Sequence, residues 1–279
     1  ADSVYPAIIG DNVTVGRFGL VHACTLGDGV VVADAATVMD GAMVGDHALI
    51  MPGAVVPPRK MLAGGVVYAG SPAIAVRAID RAELATHHAA LRAQAPLAPA
   101  PATDLAPQPV REALPPPRFT RVAATFAAPT AIFAGGIEMA DDASIYFGCV
   151  ADAGDARIVV GTRSNVQDNT FMVTDRRRGD LVIGNDVTIG HNVRMGAATI
   201  GDRALVGMSS IIGDGVVVEA GACIGAGAHV EPGTRVPAGW IYAGRPARAF
   251  RELRAAEREG FADIVTVYAH YSSVYRLHG

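Results

Sequence analysis

Aliphatic residues recur at six-residue steps in two stretches of this chain. The first runs Ile9, Val15, Val21, Leu26, Val32, Val38, Val44, Ile50, Val56; the second runs Ile183, Ile189, Met195, Ile200, Val206, Ile212, Val218, Ile224, Val230, Val236. One step in each stretch, the third, is a residue short. A period near six fits neither the 3.6 of an amphipathic helix nor the strict alternation of a hairpin meander. It fits a coil of short strands and turns in which the aliphatic side chain points inward and a small residue leaves room at each corner. Stacked coils then bury one continuous core, so the pattern predicts an all-β solenoid.

Glycine and proline divide the chain further. None of its 32 glycines lies between Gly70 and Gly135, whereas nine of its 17 prolines fall between Pro96 and Pro129. Residues 72–94 carry Ile74, Ile79, Leu84 and Leu91 among Ala, Arg and Glu, which predicts a helix. The Ala/Pro-rich stretch 95–124 reads as an extended linker. Around it the two repeat blocks align without a gap from Ile9/Ile183 to Ala73/Ala247, a constant offset of 174. The chain is therefore read as a tandem duplication: a partial β-helix over 1–71, helix 72–94, linker 95–124, a β-helix over 125–246 and a C-terminal helical segment 247–279, with a break expected near Gly260.

A net charge of -4 from 23 basic and 27 acidic residues argues against a polyanion-binding surface, so nucleic acid is not an expected partner. No run of apolar residues is long enough for a membrane-spanning helix. Cys24, Cys149 and Cys223 are dispersed and odd in number, which speaks against a disulfide framework or a cysteine zinc site and for a reducing compartment. The sequence starts at Ala1 without a recognisable signal, as a processed product or fragment would.

The I-G-D-x-V-x repeats, the closing Tyr242-Ala243-Gly244-Arg245-Pro246-Ala247 and the segments Ser144-Ile145-Tyr146-Phe147-Gly148, Asn165-Val166-Gln167-Asp168-Asn169 and Ile189-Gly190-His191 together resemble the gamma-class carbonic anhydrase family. The resemblance covers about residues 126–275, and residues 7–94 repeat only the family's C-terminal half, ending Tyr68-Ala69-Gly70-Ser71-Pro72-Ala73. It implies two left-handed parallel β-helices, the first partial, each followed by an α-helix. It also implies packing as a trimer, with zinc between neighbouring β-helices.

Catalytic zinc needs about three imidazoles and an open position for water. The family's first ligand ends a Q-D-x4-H segment, and the other two form I-G-H-x4-H. In the second copy these positions hold Val173, His191 and Gly196; in the first, the second and third positions hold Arg17 and His22. The resemblance thus leaves His22 and His191 as metal ligands of a composite cleft completed by another chain, or as relics that only hydrogen-bond. It casts Gln167 and Asp168 as the catalytic pair, although polar residues also cap coil turns. Asp152-Ala153-Gly154 stands where the family has an Arg-Gly-Asp segment used at the trimer interface. His47, His87, His88, His229, His270 and His278 read as surface or helix residues, and Arg176-Arg177-Arg178 as a run that is solvated or meets an acidic partner; the C-terminal helix is expected to lie along its own β-helix, or to dock its aromatic end at Tyr268, Tyr271 and Tyr275 on a partner.

These substitutions favour a structural role in a heteromeric trimer of gamma-carbonic-anhydrase-like chains. The resemblance extends that to the matrix side of the mitochondrial inner membrane, beside the membrane arm of respiratory complex I. A cytoplasmic protein of a bacterium is the alternative location. The alternative functions are a zinc carbonic anhydrase with a composite site, or a hexapeptide acyltransferase using one His as general base.

Overall fold

A computed structural model describes residues 6–94, 118–121 and 124–278, and the chain divides into two compact units, one ending at Arg111 and the other starting at Glu112. Both are parallel β-solenoids. In the first unit three sheets run along the coil axis. Ile8–Ile9, Thr25–Leu26, Met43–Val44 and Met61–Leu62 form one, Leu20–Val21, Thr37–Val38 and Val55–Val56 another. The third stacks Thr14–Val15, Val31–Val32, Leu49–Ile50 and Val66–Ala69. The register shows the coil length directly: Thr25 pairs Met43 and Met43 pairs Met61, whereas Ile8 pairs Thr25 one residue sooner. That shorter coil is the five-residue step of the sequence.

Each coil puts one apolar residue of a strand pair inside. Val32, Ile50 and Val56 are fully buried in the first unit, and Ile183, Ile189, Val206 and Ile224 lie in the main core of the second. Burying such a side chain contributes about 1.5–3 kcal/mol, and the contributions accumulate along the axis. The recurring Ile-Gly-Asp has a separate cause. The Asp202 carboxylate accepts the backbone N–H of Asn185 on the preceding coil at 2.8 Å and so lies over the Cα of Gly184, where a Cβ would overlap it. Asp34 and Asp28 do the same for Arg17 N and Asp11 N, each at 2.8 Å. Glycine is needed for close approach, and aspartate satisfies a turn donor that the sheet ladder leaves over.

The 174-residue offset is visible strand by strand. Val66–Ala69 pairs antiparallel with Ile74–Ala78, as Trp240–Gly244 does with Ala247–Glu252. The peptide bonds Ser71–Pro72 and Arg245–Pro246 are both cis. Helix α1 (Arg81–Ala93) follows in the first unit and α2 (Ala255–His278) in the second. Residues 72–94 are therefore not helical throughout: the helix begins at Arg81, capped by Asp80 Oδ1 on Glu83 N at 2.8 Å. Ile74 and Val76 instead lie in the returning edge strand, 66% and 58% exposed. Likewise 247–252 is strand, and α2 passes through Gly260 without a break. Most of the 95–124 linker lies outside the described residues, but Arg118–Arg121 already pairs parallel with Gly136–Met139, so the second β-helix starts before 125.

Leu84 of α1 packs on Val31, Leu49 and Val67, the outward residues of one sheet. Helix α2 covers the corresponding face of the second unit, near Phe126, Ser144 and Asn165. No helix among the described residues is long and apolar enough to cross a membrane.

Candidate functional site

His191 leaves the turn after the strand Thr188–Ile189 and is 7% exposed, under α2. Its Nδ1 lies 3.2 Å from Asp168 Oδ2, one coil back, and its Nε2 is 3.1 Å from the Tyr268 hydroxyl on α2. Asp168 is fixed by the backbone N–H of Phe147, which donates to Oδ1 at 3.0 Å. Burial raises the pKa of this carboxyl, but the hydrogen bond and charge of His191 and the Phe147 N–H outweigh that and hold it below its ordinary value. An ionised Asp168 accepts from Nδ1, which places the imidazole proton there and leaves the Nε2 lone pair facing the Tyr268 hydroxyl.

The helix is held in place at this point. Tyr146 Oη donates to the carbonyl oxygen of Tyr268 at 2.7 Å, and its ring meets Tyr268 edge-on at 5.2 Å between centroids. Burial pushes the Tyr146 phenol up, so it serves as a donor. Tyr275 stacks on Phe126 at 5.4 Å. Tyr268 and Tyr275, expected to dock on a partner, thus pack against the chain's own β-helix. Gln167 is buried and donates from Nε2 to Asn165 Oδ1 at 3.1 Å, and Asn165 donates to Thr188 Oγ1 at 3.0 Å. This amide ladder braces the strand Asn165–Val166, which leads into the turn of Asp168; of the pair Gln167 and Asp168, it is Asp168 that contacts His191.

The remaining positions implied for zinc do not fit a metal within the second unit. Arg178 spans both: its Nη1 donates to the carbonyl of Val173 at 2.9 Å and its Nε to Asp214 Oδ2 at 2.9 Å. A Cβ on Gly196 would overlap Asp214 Oδ1 and approach Arg178 Nη2 to 2.6 Å. A guanidinium therefore occupies the space of the missing histidine side chain, where its fixed charge repels a cation. Arg178 is thus not part of a freely solvated run. Asp152 turns back to accept Gly154 N at 3.0 Å. Among the described residues no three His, Cys, Asp or Glu side chains converge to hold a metal ion.

The first unit presents a related arrangement with the residue types exchanged. His22 Nδ1 is 2.5 Å from Asp40, and Asp40 is the 174-offset counterpart of Asp214. Arg17, at the position of His191, donates from Nη2 to the carbonyl of Gln94 at 2.9 Å, and Gln94 is the counterpart of Tyr268. So the coil turn meets the helix in both units, at the C-cap of α1 and midway along α2, but only the second places a base beside a hydroxyl there. His88, read as a surface or helix residue, faces inward from α1. Its Nδ1 pairs with Thr14 Oγ1 at 2.7 Å and its Nε2 with the Gly29 carbonyl at 3.1 Å, beside a depression of about 420 Å³ also lined by Asp28, His47 and Arg81.

Burial holds the thiols protonated, Cys24 pushed up to about 11 and Cys149 and Cys223 to about 12, so none is a nucleophile at neutral pH. Sequence reasoning found His191 and Asp168 but missed two residues. Tyr268 was read as a partner-docking end of the helix, although the offset that pairs Arg17 with His191 also pairs Gln94 with Tyr268. Arg178 gave no specific signal, because it stands in a basic run with the composition of a solvated loop and its counterpart at the same offset is Val4.

No family model and no curated protein matches the sequence. Solved structures do, among them two that are more than 30% identical. A hexapeptide transferase family protein from Anaplasma phagocytophilum is 35% identical over 57% of this chain and 92% of its own, with a TM-score of 0.52. A candidate acetyltransferase from Bacillus cereus is 32% identical over 58% of this chain and 93% of its own, with a TM-score of 0.56.

Proposed function

Because the chain belongs to the hexapeptide-repeat family of left-handed parallel β-helices, we propose that it is an acyltransferase that moves an acetyl group from a coenzyme A thioester to a hydroxyl or amine, with His191 as general base. The observation that carries this reading is the chain Asp168 to His191 Nδ1, and His191 Nε2 to a hydroxyl. That is the order in which a base is oriented, kept in the right tautomer and offered to the proton it removes. The transferase and acetyltransferase descriptions of the two relatives agree with it. Carbon dioxide hydration and a place in respiratory complex I have no comparable support, since the second unit offers one imidazole and, at the other ligand positions, Arg178.

In the reaction Asp168 stays ionised and stabilises the imidazolium that forms as Nε2 takes the proton of the attacking group. The attack on the thioester carbonyl releases the thiol, which recovers the proton from Nε2. The protein is proposed to assemble as a trimer, as is common in this family. The test is thiol release from acetyl-coenzyme A in the presence of a panel of amino and hydroxyl sugars. The wild type turns over, and His191→Asn lowers the rate by about 10²–10⁴. A wild-type rate equal to that of buffer with every acceptor overturns the reading.

A further inference from the structure

The relay that carries the proposed reaction is closed. His191 is buried, and the nitrogen that would take a proton, Nε2, faces the Tyr268 hydroxyl at 3.1 Å. An acceptor hydroxyl or amine has to reach that same nitrogen, because Nδ1 is held by Asp168. We infer that α2 beyond Gly260 is a lid on the site, in which Tyr268 Oη holds the acceptor's place on Nε2 and is displaced when an acceptor binds. The inference rests on the acyl-transfer reading for the identity of that acceptor, not for the closure of His191.

Three observations assign the movement to the helix. The first is where the relay lies. The Asp168 side chain is 36% exposed and the Tyr268 ring is half-buried, so the site sits at the margin of the unit, with α2 over the Nε2 side. The second is how thinly α2 is attached past its first turn. Among its described residues only Val265 and Ser272 are buried, and the Ser272 hydroxyl donates back to the helix's own Ala269 carbonyl at 2.9 Å. An aromatic clasp does the holding: Tyr146 Oη on the Tyr268 carbonyl, and Tyr275 stacked on Phe126. Segments with few buried apolar contacts are those that open locally.

The third observation is a pivot. Glu257 fixes the first turn of α2, accepting from the Arg251 guanidinium at 2.6 and 2.8 Å and from the Arg254 N–H at 2.9 Å. Gly260 comes next. A Cβ there would meet nothing outside the helix within 4 Å, so packing does not require glycine at this position. Its counterpart in α1 is Thr86, and the glycine is found only in the helix that covers an imidazole relay. A glycine inside a helix lowers the cost of bending or unwinding at that point. An acceptor that binds only the open form has its apparent affinity reduced by the open fraction, which Tyr268 and the residue at 260 set in opposite directions.

The test treats the full chain with diethyl pyrocarbonate, which ethoxyformylates accessible imidazole nitrogens, at neutral pH and follows His191 and the exposed His229 by peptide mass spectrometry. In the wild type His191 is expected to react at least about tenfold more slowly than His229. Tyr268→Phe, which keeps the ring against Tyr146, is expected to speed His191 by about 2- to 12-fold, and Gly260→Ala to slow it by about two- to fivefold, with His229 unchanged in both. In acetyl transfer the acceptor KM is expected to fall in Tyr268→Phe by the factor by which labelling rises. These labelling shifts without any turnover uphold the lid and remove the acyl-transfer reading. Labelling of His191 as fast as His229 in the wild type, or at a rate indifferent to both substitutions, overturns the lid. So does turnover in Tyr268→Phe that falls as far as in His191→Asn, since the phenol would then be needed for the reaction.

Discussion

At the scale of single residues, what distinguishes the two units is which side chain answers each aspartate. Asp40 meets His22, whereas its counterpart Asp214 meets Arg178 over the bare Cα of Gly196. Glycine at 196 is thus required by the arginine, and a lost histidine is only half of the description. Gly196→Ala forces a methyl into the Arg178 to Asp214 contact and is expected to cost about 1–3 kcal/mol in urea unfolding. A change below about 0.5 kcal/mol would mean that Arg178 moves aside freely. This contact was not legible in the sequence, because Arg178 and Asp214 are far apart in the chain and the basic run has the composition of a solvated loop. His191 and Asp168 were legible, since both stand at motif positions one coil apart.

At the scale of elements, α1 and α2 cover the same solenoid face but make different polar contacts with it. The start of each helix is tied by an ion pair, Arg77 with Glu83 and Arg251 with Glu257, again 174 residues apart. Both follow a D-x-x-E or R-x-x-E pattern readable in advance. The strands before them were not readable, because Ile74 and Val76 mimic a helical apolar stripe while lying exposed in an edge strand. Helix α1 is held in addition by His88. Burial lowers its pKa, partly offset by the hydrogen bond to the Gly29 carbonyl, and the Arg92 guanidinium adds to the lowering. The unfolded chain therefore binds this proton more readily than the folded one, and the contribution of His88 is complete above about pH 6.5 and lost as pH falls towards its folded pKa. Protection of the α1 amides, taken relative to their intrinsic exchange rates at each pH, is expected to fall between pH 7.5 and 5.5, and this fall is expected to vanish in His88→Gln. Equal protection at both pH values in the wild type would contradict the docking described.

At the scale of the whole molecule, a core of stacked coils in each unit follows from one six-residue rule, and the duplication was legible because both blocks carry the same shortened step. Function was less legible for a physical reason: the coil period is dictated by packing, whereas the chemistry depends on a turn meeting a helix 77 residues later. The resemblance to gamma-class carbonic anhydrases pointed to the right fold, but the carbonic anhydrase and respiratory-complex readings drawn from it gain no support from the relatives found. The most direct measurement is acetyl-coenzyme A cleavage by chelator-treated protein, wild type beside His191→Asn and Asp168→Asn, before and after zinc is added back. The account predicts metal-independent cleavage that falls about 10²–10⁴ in both variants. Cleavage that is equal in all three proteins contradicts it, and so does carbon dioxide hydration that appears only with zinc and needs both His22 and His191.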